Sequence, residues 1–131
     1  MSKTTWIIII VIVALAAIAA FFFLNQPTEK PATAPAPNIP AELQPIAEKA
    51  IGLAASTFHV KPEEVQLLSI EAVQWGDTSL GCPQEGQMYA QQLTSGYLAT
   101  VDVGGKTHAV HMNEQGQGVV CPPEQAKPPV G

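Results

Sequence analysis

The sequence predicts an α+β fold: one amino-terminal membrane helix, then one helix packed on a small antiparallel sheet of three to five strands. Three observations lead there. Residues 6–24 are apolar without a charge. Residues 41–58 place their apolar residues at a helical period. Residues 97–112 alternate on both sides of a Gly-Gly pair, the pattern of a β-hairpin.

The first element is the apolar run Trp6–Leu24. At ~1.5 Å per residue it makes a helix of roughly 28 Å, matching a hydrocarbon core of ~30 Å. A helix satisfies its own backbone hydrogen bonds, as lipid requires. Trp6 sits at one edge, where interfacial aromatics belong. Lys3 flanks the near side, while Glu29 and Lys30 cancel on the far side. The positive-inside rule then puts the amino terminus in the cytoplasm and the rest of the chain outside. A cleaved signal peptide is the competing reading, with Ala17-Ile18-Ala19 offering small residues for a cut. That cut leaves Phe21-Phe22-Phe23-Leu24 as an apolar start to the mature chain, so a retained single-pass anchor over residues 1–24 is expected.

Residues 25–40 carry Pro27, Pro31, Pro35, Pro37 and Pro40 among alanines and threonines. Prolines at this density prevent helix and favour polyproline II, which reaches about 50 Å over such a segment. The expectation is a stalk. Residues 122–131 are also proline-rich without an apolar run, and a disordered tail is expected there. The foldable part is residues 41–121, a length that buries only a modest core and gains from a covalent staple.

Within it, Leu43, Ile46, Ala47, Ala50, Ile51, Ala54 and Phe58 share one helical face. Proline is tolerated in a first helical turn, so the regular helix starts close to Pro45. Lys61-Pro62 blocks its continuation. Val65–Trp75 reads as a strand whose alternation changes phase, and a bulge near Ser69–Glu71 reconciles its halves. Gly76 to about Gln87 is a loop. A short strand is expected over Met88–Leu93 and a turn at Thr94-Ser95-Gly96. Tyr97–Val103 and Lys106–Met112 form the hairpin, with Gly104-Gly105 in a type I′ turn that needs positive φ at both residues. That register pairs Val103 with Lys106, Val101 with His108, Ala99 with Val110 and Tyr97 with Met112, all facing the helix. His111 falls on the other face. A turn at Asn113–Gly116 leads to a last strand, Gln117–Cys121.

The chain has six lysines and no arginine, and its net charge is −5. Beyond the apolar run, five lysines face eleven acidic residues. Phosphate binding needs clustered cations, so nucleic acid is excluded as a partner. Acidity of this size keeps a small exposed domain soluble.

The loop Trp75-Gly76-Asp77-Thr78-Ser79-Leu80-Gly81-Cys82-Pro83 holds one of two cysteines, and Cys121 is the other. Two cysteines in a small external domain are expected to pair, closing about forty residues. No Cys-X-X-Cys motif and no neighbouring cation favours a reactive thiol. His108 and His111 are three apart, but on a strand that spacing sends them to opposite faces. Met88, His111 and Met112 could form a soft-metal site, with a core or strand-surface role as the plainer reading of each. Asp77, Thr78 and Ser79 lack a nucleophile elbow and a nearby His; they are expected to hydrogen-bond the turn's own backbone. No catalytic residue and no cofactor is expected, and the chain reads as a non-enzyme. Trp75 belongs over the disulfide or under the helix; exposed, it would mark a binding site.

From Val73 to Cys121 the chain resembles a domain of small secreted or anchored bacterial proteins. The resemblance is carried by Trp75, Asp77, Ser79–Pro83, Tyr89, Gln91, Gly96, Tyr97 and His111. The helix-then-meander order also resembles PepSY and cystatin-like envelope domains, as fold analogy only. The resemblance implies no activity. Three functional readings follow. The leading one is a tethered extracytoplasmic domain, anchored in the bilayer by residues 6–24, with a structural role or with an envelope protein or peptide as partner. Its candidate binding loop is Trp75, Asp77, Thr78, Ser79 and Leu80. The second is a protease inhibitor presenting Thr78–Pro83, and the third is metal binding at Met88, His111 and Met112.

Overall fold

The structure is a computed structural model that describes residues 2–24 and 37–130. It divides into two compact units, Met1–Ala34 and Pro35–Gly131. The described residues of the first form the helix α1 (Lys3–Leu24). Among the described residues it is the one helix long and apolar enough to cross a membrane, a test that a signal sequence also passes. Most of the expected stalk lies outside the described residues.

The second unit starts at a 3-10 turn, Ala41–Leu43, which leads into α2 (Gln44–Phe58) with Pro45 in its first turn. Pro45 has no amide hydrogen to leave unpaired there. The helix stops at His59, in the left-handed conformation with φ 55°, whose N–H donates to the Ala55 carbonyl. Its buried stripe is Ala47, Ala50, Ala54 and Ala55. Four methyl side chains let the helix backbone lie close to the sheet. Ile46, Ile51, Leu53 and Phe58 fill the flanks of that contact.

Four strands follow: β1 (Val65–Trp75), β2 (Thr94–Val103), β3 (Lys106–Asn113) and β4 (Gly118–Cys121). They form one antiparallel sheet in the order β1-β2-β3-β4. The fold is therefore the expected one, a helix on a four-stranded antiparallel sheet. The hairpin has the expected register, from Val103 opposite Lys106 to Tyr97 opposite Met112. Gly104 and Gly105 have φ of 61° and 83°, as a type I′ turn demands. The Asp102 carboxylate accepts the Gly105 N–H at 3.0 Å and braces the turn. Ala99, Val101, Val110 and Met112 are fully buried and join Val65 and Leu67 beneath the alanines of α2.

The bulge lies between Leu67 and Ser69, slightly earlier than expected, and leaves Leu68 unpaired. It changes which side of the sheet β1 addresses. Before it, Val65 and Leu67 lie opposite Val103 and Val101, on the helix side. After it, Ile70 lies opposite Ala99 and takes over the helix side, so Trp75 points to the far face.

Two expectations are corrected. Residues 88–93 form no strand. They are held instead by the Thr78 N–H donating to the Ala90 carbonyl at 3.1 Å and the Ala90 N–H donating to Thr78 Oγ1 at 3.0 Å. Thr94–Gly96 is not a turn but the start of β2. Gly96 is needed there for space: a Cβ would lie 2.0 Å from the Met112 carbonyl oxygen and 2.9 Å from the Trp75 indole nitrogen. Beyond Cys121, Lys127 and Val130 meet the domain through their backbone. The Lys127 N–H donates to the Gly81 carbonyl at 2.7 Å and the Val130 N–H to the Gln74 carbonyl at 2.8 Å.

Candidate functional site: the loop face of the sheet

The sheet face opposite α2 is covered by the loop between β1 and β2, which builds a second, smaller interior. Trp75 is its centre and is fully buried. Its indole N–H donates to the Met112 carbonyl at 3.0 Å. Its ring stacks on His111, with centroids 4.6 Å apart and planes 16° apart. Both rings sit on this face because the bulge turns Trp75 over and because His111 alternates with Met112.

The loop closes over this pair by local bonding. Asp77 Oδ1 accepts the Ser79 N–H at 2.9 Å and also the Ser79 hydroxyl. Leu80 and Gly81 follow with φ of 56° and 70°. Two successive left-handed residues curl the chain inward, a conformation unusual for a leucine. The curl aims the Leu80 carbonyl at His111 Nδ1, 2.7 Å away. Cys82 then reaches Cys121 at the end of β4, with a Cα–Cα distance of 5.7 Å. The loop is fixed by a turn, a histidine pin and a covalent bond.

The electrostatics follow from these contacts. The Ser79 hydroxyl and then the Ser79 amide hold the Asp77 carboxyl below its usual range; Lys127 and Gln91 add to this and burial opposes it. Burial pushes the His111 pKa down, against the smaller upward pull of the Leu80 carbonyl. A carbonyl only accepts, so Nδ1 carries the proton, and burial favours the neutral ring over the imidazolium.

This has a measurable consequence. An unfolded histidine titrates near 6.5. Below that pH the unfolded chain binds a proton that folded His111 resists, so unfolding is favoured as pH falls. The stability gained from keeping His111 neutral is complete above about 6.5 and is lost as pH drops toward the folded value. Thermal melts of the domain are expected to fall between pH 7 and pH 5, and His111→Gln is expected to flatten that slope. An equal slope in both proteins would remove His111 as its cause.

The candidate residues divide accordingly. Cys82 and Cys121 are bonded. Trp75 and Ser79 are interior and shape the loop from below. Asp77 and Leu80 are half-buried, and Thr78 is exposed. The loop does not form the extended stretch of an inhibitory segment: Ser79, Gly81 and Cys82 are buried within it, and it turns on itself at Leu80-Gly81. The metal trio is not assembled. Met88 is 99% exposed, while His111 and Met112 are buried on opposite faces of β3. His108 lies on the helix side against Phe58, with ring centroids 4.3 Å apart.

Two functional features were missed in the sequence. One is the pin between His111 and Leu80. The other is the docked segment Lys127–Val130, which approaches the loop where Gly76 and Gly81 carry no side chain. A Cβ on Gly81 would lie 2.7 Å from the Lys127 carbonyl oxygen, and one on Gly76 would lie 3.4 Å from Val130 Cγ1. Elsewhere, a recess of about 300 Å³ opens beside Gln74, Tyr97 and Glu114.

A family model described as a domain of unknown function (DUF8738) matches residues 47–121. The match runs from the first buried alanine of α2 to the second cysteine. No curated protein and no solved structure matches the chain.

Proposed function

The chain belongs to the DUF8738 family, whose domain has no described function, and from that premise we propose that it is a membrane-tethered binding domain held outside the cytoplasm of a bacterial cell. The carrying observation is an apolar helix, Lys3–Leu24, in the same chain as a bonded cysteine pair. Disulfides persist in oxidising compartments, and an apolar amino-terminal helix is the means of reaching one. In this reading α1 is retained as an anchor, with the amino terminus in the cytoplasm. The domain acts by binding, not by catalysis. Its two best candidates for a nucleophile and a base are engaged elsewhere: Ser79 Oγ donates to Asp77, and His111 Nδ1 donates to the Leu80 carbonyl.

Amine labelling of intact producing cells with a membrane-impermeant reagent tests this. Lys61 and Lys106 are exposed on the domain and Lys3 precedes the apolar run. Labelling of Lys61 and Lys106 without Lys3, on a chain that stays with membranes after an alkaline wash, is the expected result. Recovery of a soluble chain lacking residues 1–19 would replace the anchor by a cleaved signal. Labelling of Lys3 alone would reverse the topology.

A further inference from the structure

The segment after Cys121 shows what the loop face can hold. We propose that the ledge formed by Gln74, Gly76, Asp77 and Gly81 is a binding site for an extended Lys-Pro-Pro-Val-type peptide segment of a partner protein. Residues 127–130 of this chain are its resident occupant. The proposal deepens the binding role above and rests on it.

The fit between ledge and segment is specific. In Lys127-Pro128-Pro129-Val130 only the two outer residues have a backbone N–H. Both are used, by the Gly81 carbonyl at 2.7 Å and the Gln74 carbonyl at 2.8 Å. The prolines between them have no donor to strand against the ledge. Proline also presets an extended backbone, so docking orders little that was free. An extended proline segment has about three residues per turn, which brings positions three apart to one side. Lys127 and Val130 are three apart, and both meet the ledge.

The ledge is shaped for this occupant. Gly81 admits the Lys127 carbonyl where any Cβ would clash, and the Val130 side chain lies over Gly76. Gly81 itself rests on the Trp75 ring: its Cβ would also lie 2.7 Å from the indole. The Lys127 charge adds a smaller downward pull to the Asp77 carboxyl, after the two Ser79 bonds, so a lysine at this position is favoured over an acid. The buried Trp75, the His111 pin and the disulfide thus support a rigid floor. A lysine followed by two prolines and a small apolar residue satisfies its two acceptors and covers its apolar end together.

Occupancy by the chain's own segment lowers the apparent affinity for a partner by the fraction of time the ledge is open. The test titrates a fluorescent peptide of residues 122–131 into the full chain in nanodiscs, and into the same chain ending at Pro123. The shortened chain is expected to bind at least about tenfold more tightly than the intact one. Peptides carrying Lys127→Glu or Val130→Asp are expected to lose that binding. No binding by a shortened chain that keeps its disulfide and its melt would overturn the proposal, as would equal binding by both chains. Hydrogen exchange on the intact chain guards against a shortened form that fails to fold. The Lys127 and Val130 amides are expected to exchange at least about tenfold more slowly than in the free peptide. Exchange at the free-peptide rate would also overturn it. Peptide affinity is independent of membrane topology, and amine labelling is independent of the ledge, so the two readings fail separately.

Discussion

Trp75→Ala is expected to destabilise the domain by about 3–5 kcal/mol, the range for emptying a buried aromatic site. Three contributions vanish together: the fully buried ring, its stack on His111, and the N–H donated to the Met112 carbonyl. The cavity opens under Gly81, so the ledge sinks as the interior is lost. Relaxation cannot refill it easily, because the disulfide and the sheet hold its two sides. Trp75→Phe separates the contributions. It keeps most of the ring and leaves the Met112 carbonyl without its partner, at a cost of about 1–3 kcal/mol. Urea unfolding of residues 38–131 followed by circular dichroism measures both. A loss under about 1 kcal/mol for Trp75→Ala would mean that the loop-side interior is not packed as described.

Removing the disulfide is the second large effect. Cys82 and Cys121 are 39 residues apart, and closing a loop of that length removes unfolded-state entropy worth about 4 kcal/mol in the chain-entropy model. The double variant Cys82→Ala/Cys121→Ala, or the oxidised protein after reductant, is expected to melt well below the native form. The native-state consequence is local. The staple joins the loop to the end of β4; without it the loop keeps hydrogen bonds alone, among them those of Asp77 to Ser79, of Thr78 to Ala90 and of His111 to Leu80. Hydrogen exchange in residues 76–83 is therefore expected to rise more than in the hairpin of β2 and β3. An unchanged melt in reductant would deny the staple its role.

How much of this was legible in the sequence depends on how local the cause was. The β2–β3 hairpin was readable to the residue, because Gly104-Gly105 dictates the turn and the turn dictates the register. The helix was equally clear, since Pro45 and Lys61-Pro62 bracket a regular apolar period. The change of phase in β1 was visible as well, but its consequence was not. A bulge turns Trp75 to the far face only when the strand is paired with β2, and no spacing within β1 records that. Gly96 looked like a turn residue because glycine serves turns more often than close packing; its reason lies in the Trp75 ring and the Met112 carbonyl. His111 gave no sequence sign of its partner, since Leu80 lies thirty-one residues away. The contacts of the segment after Cys121 were not legible. Its prolines suggested disorder; within residues 127–130 they leave two amide donors, which meet the Gly81 and Gln74 carbonyls.

In the proposed reading this domain completes its fold in an oxidising compartment, where the disulfide staples the loop. Trapping thiols with an alkylating reagent in intact producing cells, before lysis, tests it most directly. Mass spectrometry then reads Cys82 and Cys121 with and without reduction. Both cysteines are expected to escape the reagent and to be released together by reductant. Two alkylated cysteines in a folded, membrane-associated chain would contradict it, and would place the domain on the reducing side of the membrane.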